Sequence, residues 1–334
     1  MKFLIFIICS FQISDLAGDE RNVTIDMATH GPKGGIAVLK SCTEGIFVGH
    51  RIELFNADGQ LRSEMRVPTQ APITSVRFSS SGNLIGITNE IGQAFVWKVA
   101  NLKLEKYDLG KPIYVCRGRF ESREDFFSAV TPGFLGKSAL TRWDLGTGRS
   151  RSVNVDGNLI DGFFLNDHAY FYSTDQTVRF IDELDDQKNY NIPKAYAKII
   201  LAPDQATCLL LTCDVPFGGV GPWHAEVRDV PNNRSLGVFE VCSDSLVSDP
   251  VFSKDSKSVF YAQNRQTYAS YHIPSGKQTS YVFNDIHEEM KVLTIGVAGK
   301  QLRVVTTFGG GPRPNSIGHH VFERDTTAAE PTKK

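Results

Sequence analysis

The chain has no charge of one sign to spare: 36 Lys and Arg stand against 37 Asp and Glu, a formal net charge of −1 over 334 residues. A basic surplus would point to nucleic acid and an acidic one to disorder, and neither is present. No apolar run after the N-terminus reaches the ~18 residues that a membrane-spanning helix needs. Cysteine is sparse and unpaired in its spacing: Cys9, Cys42, Cys116, Cys208, Cys213 and Cys242. Cys116 and Cys208 fall within strand-like segments, where a thiol behaves as a small apolar residue. Buried free thiols are therefore expected, not a disulfide frame.

Catalytic motifs are also missing. No G-x-S-x-G elbow occurs, and Ser80-Ser81-Gly82-Asn83 reads as a turn. His287-Glu288-Glu289-Met290 holds one His where a zinc helix needs two, and Gly309-Gly310-Gly311 lacks the Gly-Lys-Ser/Thr of a phosphate loop. His319-His320 would lie on a strand, where neighbouring side chains point to opposite faces, so both cannot hold one ion. The acidic run Asp182-Glu183-Leu184-Asp185-Asp186 does not have the spacing of a calcium loop. No cofactor or metal is expected.

What the sequence does contain is a recurring pattern. Its clearest copy is Val76-Arg77-Phe78-Ser79, a Ser81-Gly82 turn, Leu84-Ile85, a polar turn at Thr88-Asn89-Glu90, then Ala94-Phe95-Val96-Trp97. That is three short strands, the last ending on an aromatic. The same slot recurs at Phe55, Trp97, Trp143, Phe180, Arg228, Tyr271 and Phe322, at gaps by subtraction of 42, 46, 37, 48, 43 and 51 residues. A unit of this size cannot bury both faces of its sheet alone and must stack on copies of itself. The pattern divides residues 22–325 into seven units, at about 36–67, 72–109, 110–153, 154–192, 193–240, 241–284 and from 292 onward. The polar segment 326–334 is expected to be a disordered tail.

In the first unit four strands are expected, near Ile36–Leu39, Gly45–Val48, Arg51–Asn56 and Leu61–Val67. The last unit offers three. Asn22-Val23-Thr24-Ile25-Asp26-Met27 alternates like a strand, and pairing it with the last unit would supply the missing outer strand.

Arg142-Trp143-Asp144-Leu145-Gly146-Thr147-Gly148 resembles the W-D-L-x-T-G stretch of WD repeats, and His30-Gly31 resembles the turn before a WD40 inner strand. The resemblance covers about residues 22–325. It implies an all-β fold: a seven-bladed propeller of four-stranded antiparallel blades, the ring closed by the N-terminal strand. It also implies a protein-interaction scaffold.

Loops between the second and third strands of each blade would share one face with the links between blades. Three are long: Pro132–Gly136, Pro216–His224 and Phe308–Asn315. The candidate binding residues there are Phe134, Phe217, Trp223, His224, Phe308 and Arg313, since aromatics and Arg dominate protein-binding energies. In the first two blades the equivalent turns, Gly49-His50 and Thr88-Asn89-Glu90, are short. The expected partner is a protein or peptide, not nucleic acid, and the expected state is a monomer.

The competing reading is a propeller hydrolase or lactonase-like enzyme with a metal or small molecule at the central channel. The inner strands Val76–Phe78, Ile199–Leu201 and Val292–Ile295 are apolar, which favours the scaffold. At the N-terminus, Met1-Lys2 and Phe3–Cys9 resemble a signal peptide over residues 1–18, without a small-residue cleavage pair. Export follows if that segment is removed, and a cytoplasmic location if it is not.

Overall fold

The structure, a computed structural model, describes residues 23–44, 47–108, 117–121, 125–131, 137–156, 159–165, 168–173, 177–182, 185–191, 196–213, 223–232, 234–241, 249–287, 289–308 and 319–326. Its strands form sheets that follow chain order, each strand pairing antiparallel with the next. The first sheet is β1 (Val23–His30), β2 (Ile36–Glu44), β3 (Phe47–Phe55) and β4 (Leu61–Val67). The second is β5 (Ile73–Phe78), β6 (Leu84–Asn89), β7 (Gln93–Lys98) and β8 (Lys103–Asp108). The third is β9 (Arg117–Phe120), β10 (Phe126–Thr131), β11 (Lys137–Asp144) and β12 (Ser150–Asp156).

The fourth comprises β13 (Leu159–Leu165), β14 (His168–Ser173), β15 (Thr177–Asp182) and β16 (Asp185–Asn191). The fifth comprises β17 (Tyr196–Leu201), β18 (Thr207–Cys213), β19 (Trp223–Asp229) and β20 (Arg234–Val241). The sixth comprises β21 (Val251–Phe252), β22 (Ser258–Ala262), β23 (Thr267–His272) and β24 (Lys277–Val282). The last, β25 (Met290–Ala298), β26 (Gln301–Phe308) and β27 (His319–Asp325), has three strands among the described residues.

Every residue of the recurring aromatic slot sits on the third strand of its sheet. Trp97 pairs with Ile85, Trp143 with Phe127, Tyr271 with Val259 and Phe322 with Val304. After Phe55 and Trp143 the next residue builds the following hairpin. Asn56 Oδ1 accepts from the amides of Asp58 (3.1 Å) and Gln60 (2.8 Å), and Asp144 Oδ1 from Gly146 (2.8 Å) and Thr147 (2.9 Å). These side chains replace the backbone partners that a turn leaves out.

The core lies between sheets. Trp97, Phe95 and Ile87 of the second sheet pack on Ile52 and Leu54 of the first. Phe127 and Trp143 meet Ala94 and Val96, and Val130 and Leu140 meet Phe164. Phe163 meets Leu210, Leu209 and Phe239 meet Tyr261, and Phe260 and Tyr268 meet Ile295 and Val304. Ile36 and Val38 of the first sheet then pack on Val305 of the last. The sheets thus pack face to face through apolar side chains, and the fold is an all-β propeller with four-stranded antiparallel blades.

The N-terminal strand does not join the last sheet. Val23–His30 pairs with β2, from Val23 opposite Cys42 to His30 opposite Ile36, and forms the inner strand of the first blade. The cause is local. Gly31 N donates to Gly35 O (2.7 Å) and Gly34, at φ +79°, closes a tight turn that folds β1 straight back. Such a φ suits glycine because it has no Cβ. A neighbouring strand also costs far less loop entropy than one about 300 residues away. As a result Ile36–Leu39 lies in the second strand, β2, while Val48 and Arg51, expected on separate strands, belong to one strand, β3, and His50 lies within it, not in a turn.

The first and last sheets are joined by side chains instead. Arg303 of β26 donates from Nη1 to Gly34 O (2.9 Å) and from Nη2 to Ala57 O (3.1 Å). His30 packs against Gly296 of β25. No helix among the described residues is long and apolar enough to cross a membrane.

Candidate functional site

Alternating strand directions place the second-to-third-strand loops and the links between sheets at one face. The roots of the three long loops there are fixed by strand pairing: Thr131 opposite Ala139, Cys213 opposite Trp223, and Thr307 opposite His319. Phe134, Phe217 and Arg313 lie outside the described residues. Phe308 is the last residue of β26, opposite Met290.

Trp223 opens β19 half-buried, packed against the cluster between the fifth and sixth sheets that includes Leu209 and Tyr261. Part of its ring therefore serves the core. His224, also half-buried, is held between Thr212 and Glu240. His319 and His320 are consecutive on β27, two sheets from His224. No group of three His, Cys, Asp or Glu side chains among the described residues is arranged to hold a metal.

At the centre, the inner strands are not simply apolar. Arg77 of β5 reaches across to Asp249, just before β21, with Nη2 3.3 Å from Oδ2. Lys198 of β17 binds the same oxygen. Three blades thereby share one carboxylate. Enclosure among these strands raises the Asp249 pKa, but the charges of Lys198 and Arg77 outweigh it and hold the carboxyl down at about 2. Deeper, Arg119 of β9 pairs with Asp161 of β13 and lies 3.5 Å from Ile199 O of β17. Asp161 is 2% exposed at its side chain, and it also accepts from the amides of Gly162 (2.8 Å) and Ile199 (3.3 Å).

These partners are 172 residues apart in the case of Arg77 and Asp249. Their sequence signal is faint: Arg77 and Arg119 each stand one residue before the Phe that ends an inner strand.

A third polar group lies in the first blade. The Ser41 hydroxyl bridges the carboxylate of Asp26 and Nδ1 of His50, the latter at 2.8 Å. Burial lowers the His50 pKa, against the opposite pull of Asp26 and of the backbone at Ala71 and Gln70. The residue types are those of a nucleophilic triad, but the order is wrong. The carboxylate holds the hydroxyl, not the imidazole, so the hydroxyl proton is directed away from the base. The chain acts as a polar clasp across β1, β2 and β3, buried at Ser41 and His50 and exposed at Asp26.

Of the cysteines, Cys208 is buried and free, with its thiol pushed up to about 12 by burial, and Cys42 is also free. Burial leaves the Cys208 thiol unactivated.

No family model and no curated protein matches the chain. Among solved structures it is similar to the β-propeller domain of Cps50 (Swd1) from Myceliophteria thermophila. The two share 10% identity at a TM-score of 0.62, over 89% of this chain and 96% of that one. The class defined by this architecture is the β-propeller. At such identity the likeness concerns the fold alone.

Proposed function

We propose that the protein is a non-enzymatic interaction scaffold. Its sheets form a seven-bladed ring in which the last blade packs on the first, and the loop face takes a protein or peptide partner. The contact residues in this reading are Phe134, Phe217, Trp223, His224, Phe308 and Arg313. The observation that carries it is the packing of each sheet on its neighbours, which holds the loop roots rigid. A partner docking there meets loops whose two ends are already held by paired strands, so ordering those ends costs little on binding.

The central carboxylates support the same reading over an enzyme. Asp161 is engaged by Arg119, and Asp249 by Lys198 and Arg77. A divalent ion would have to displace these cations from both.

Affinity capture with the full chain and with Phe217→Ala and Arg313→Ala tests the proposal. Both variants should lose the captured protein while melting within a degree or two of the parent. Trp223→Ala should lose capture and some stability together, because part of its ring lies in the core. Retention of the same partner by both loop variants would refute the assignment of this face. A stoichiometric ion in the purified protein, with melting that shifts on chelation, would favour the enzyme.

A further inference from the structure

The first strands of neighbouring sheets lie side by side: β1 beside β5 and β25, β5 beside β9, β13 beside β17 and β21 beside β25. Charged side chains from five sheets meet among them: Arg77, Arg119, Asp161, Lys198 and Asp249. Their contacts join sheets that are not neighbours in the chain, as Arg77 of the second does with Asp249 of the sixth. Three cations face two carboxylates, and these five side chains together carry one positive charge in excess.

The two carboxylates are held differently. Asp161, buried, accepts from Arg119 and from the amides of Gly162 and Ile199. Asp249 is about a third exposed, and Arg77 and Lys198 both meet it through the one oxygen, Oδ2. Arg77 gives it a single N–H at 3.3 Å, outside the ~2.7–2.9 Å of a strong charge-assisted bond. A guanidinium carries its N–H groups in a planar fork, and the Arg77 side chain is 47% exposed. Most of that fork is therefore open to a ligand.

Such a fork forms two parallel bonds to a carboxylate or a phosphate. Charge selects between them. A carboxylate would only repeat what Asp249 already supplies. A phosphate group of charge about −2 in its place would bring the three cations and Asp161 to neutrality. Val76 and Ile199, the chain neighbours of Arg77 and Lys198, are buried and apolar, and such walls concentrate the field on a bound anion.

We infer that the space between the first strands is a phosphate-binding site. Arg77 and Lys198 clamp the phosphate oxygens, and Asp249 is the internal anion that gives way to the ligand. The inference is separate from the scaffold reading, because phosphate can bind or fail to bind whatever the loop face captures.

Titration of the full chain with inorganic phosphate, followed by phosphorus NMR line broadening and by melting, tests it. Acetate and chloride at matched ionic strength are the controls. Phosphate should raise the melting temperature saturably, and the controls should not. Arg77→Gln should weaken phosphate binding by about ten-fold or more, the worth of a charge-assisted pair. Arg77→Lys, which keeps the charge but not the fork, should fall between, and it decides the matter if the Gln variant does not fold. Asp249→Asn removes the competitor and should tighten phosphate binding, by about ten-fold if the carboxylate fills the clamp nine-tenths of the time.

A short peptide bearing one phosphoserine, run beside the free ion, names the source of the group. Tighter binding of the peptide assigns it to a protein side chain, and exclusion of the peptide assigns it to the free ion. A response that phosphate shares with acetate and chloride would be general screening and would overturn the proposal. Phosphate affinity unchanged in the Arg77 variants would overturn it too, as would affinity unchanged or loosened by Asp249→Asn.

Discussion

A Cβ on Gly237 of β20 would stand 2.0 Å from the hydroxyl of Tyr271 on β23. Tyr271 occupies the recurring aromatic slot and stacks on Phe239 at 4.8 Å between ring centroids. The fifth and sixth blades can therefore approach only because the fifth has no side chain at this point. Gly237→Ala should cost about 1–3 kcal/mol through overpacking. Tyr271→Phe in the same chain, which removes the oxygen, should recover part of the loss. Urea unfolding of the two single variants and the double variant checks the coupling, and additive losses would show that the contact is unimportant.

Asp249 gives the centre a pH dependence. Its folded pKa lies at about 2, below the usual carboxylate value near 4. Its contribution is therefore complete above about pH 4 and is lost as pH falls toward 2. The side chain is about a third exposed. Screening keeps the expected cost of Asp249→Asn to about 1 kcal/mol at neutral pH, less than the shift alone would suggest. Melting temperatures of parent and variant should converge as pH falls from 4 to 2. A constant difference would show that the carboxylate is not what joins the three blades.

His30 acts in a higher window. Burial, and secondarily the charge of Arg303, lowers its pKa to about 3. No hydrogen-bond partner for its Nε2 is present among the described residues. The folded protein keeps the ring neutral while the unfolded chain takes up a proton below about pH 6.5. This group's stability is present above that pH and declines by ~1.4 kcal/mol per unit as pH falls toward 3. His30→Phe should flatten the loss between pH 6.5 and 4, whatever it does at pH 7. An unchanged slope would mean that the seam between first and last sheets admits the proton.

Trp97 is fully buried, and its indole N–H has no hydrogen-bond partner among the described residues. Trp97→Ala should cost about 3–5 kcal/mol for the cavity. Trp97→Phe removes the orphan donor along with part of the ring, and about 1 kcal/mol is the expected loss. Equal destabilisation by the two variants would indicate a bonded indole in solution.

The strand pattern was legible because it is local. The slot from Phe55 to Phe322 recurs at blade spacing, and each copy lies on a third strand. Strand partnership at the N-terminus was not legible. Val23–Met27 alternates equally well for either neighbour, and what decided between them was the Gly31–Gly35 turn geometry. The apolar reading of the inner strands also missed the charges of Arg77, Arg119 and Lys198. Their partners come from other blades, so no spacing within a repeat reveals them. For Trp223 the sequence did not reveal that the ring packs against the cluster between the fifth and sixth sheets.

The clasp of Arg303 on Gly34 joins residues 269 apart, whereas every strand pairing among the described residues is between neighbours in the chain. On the ribosome the first sheet can form early, yet the side covered by Val305 must wait until the last sheet has been made. At ~5–20 residues per second that interval is roughly 15–50 s. Throughout it Ile36 and Val38 present an apolar flank with no neighbour. The protein's most exposed moment to aggregation is therefore its own translation, and chaperone demand should fall on the nascent N-terminal half.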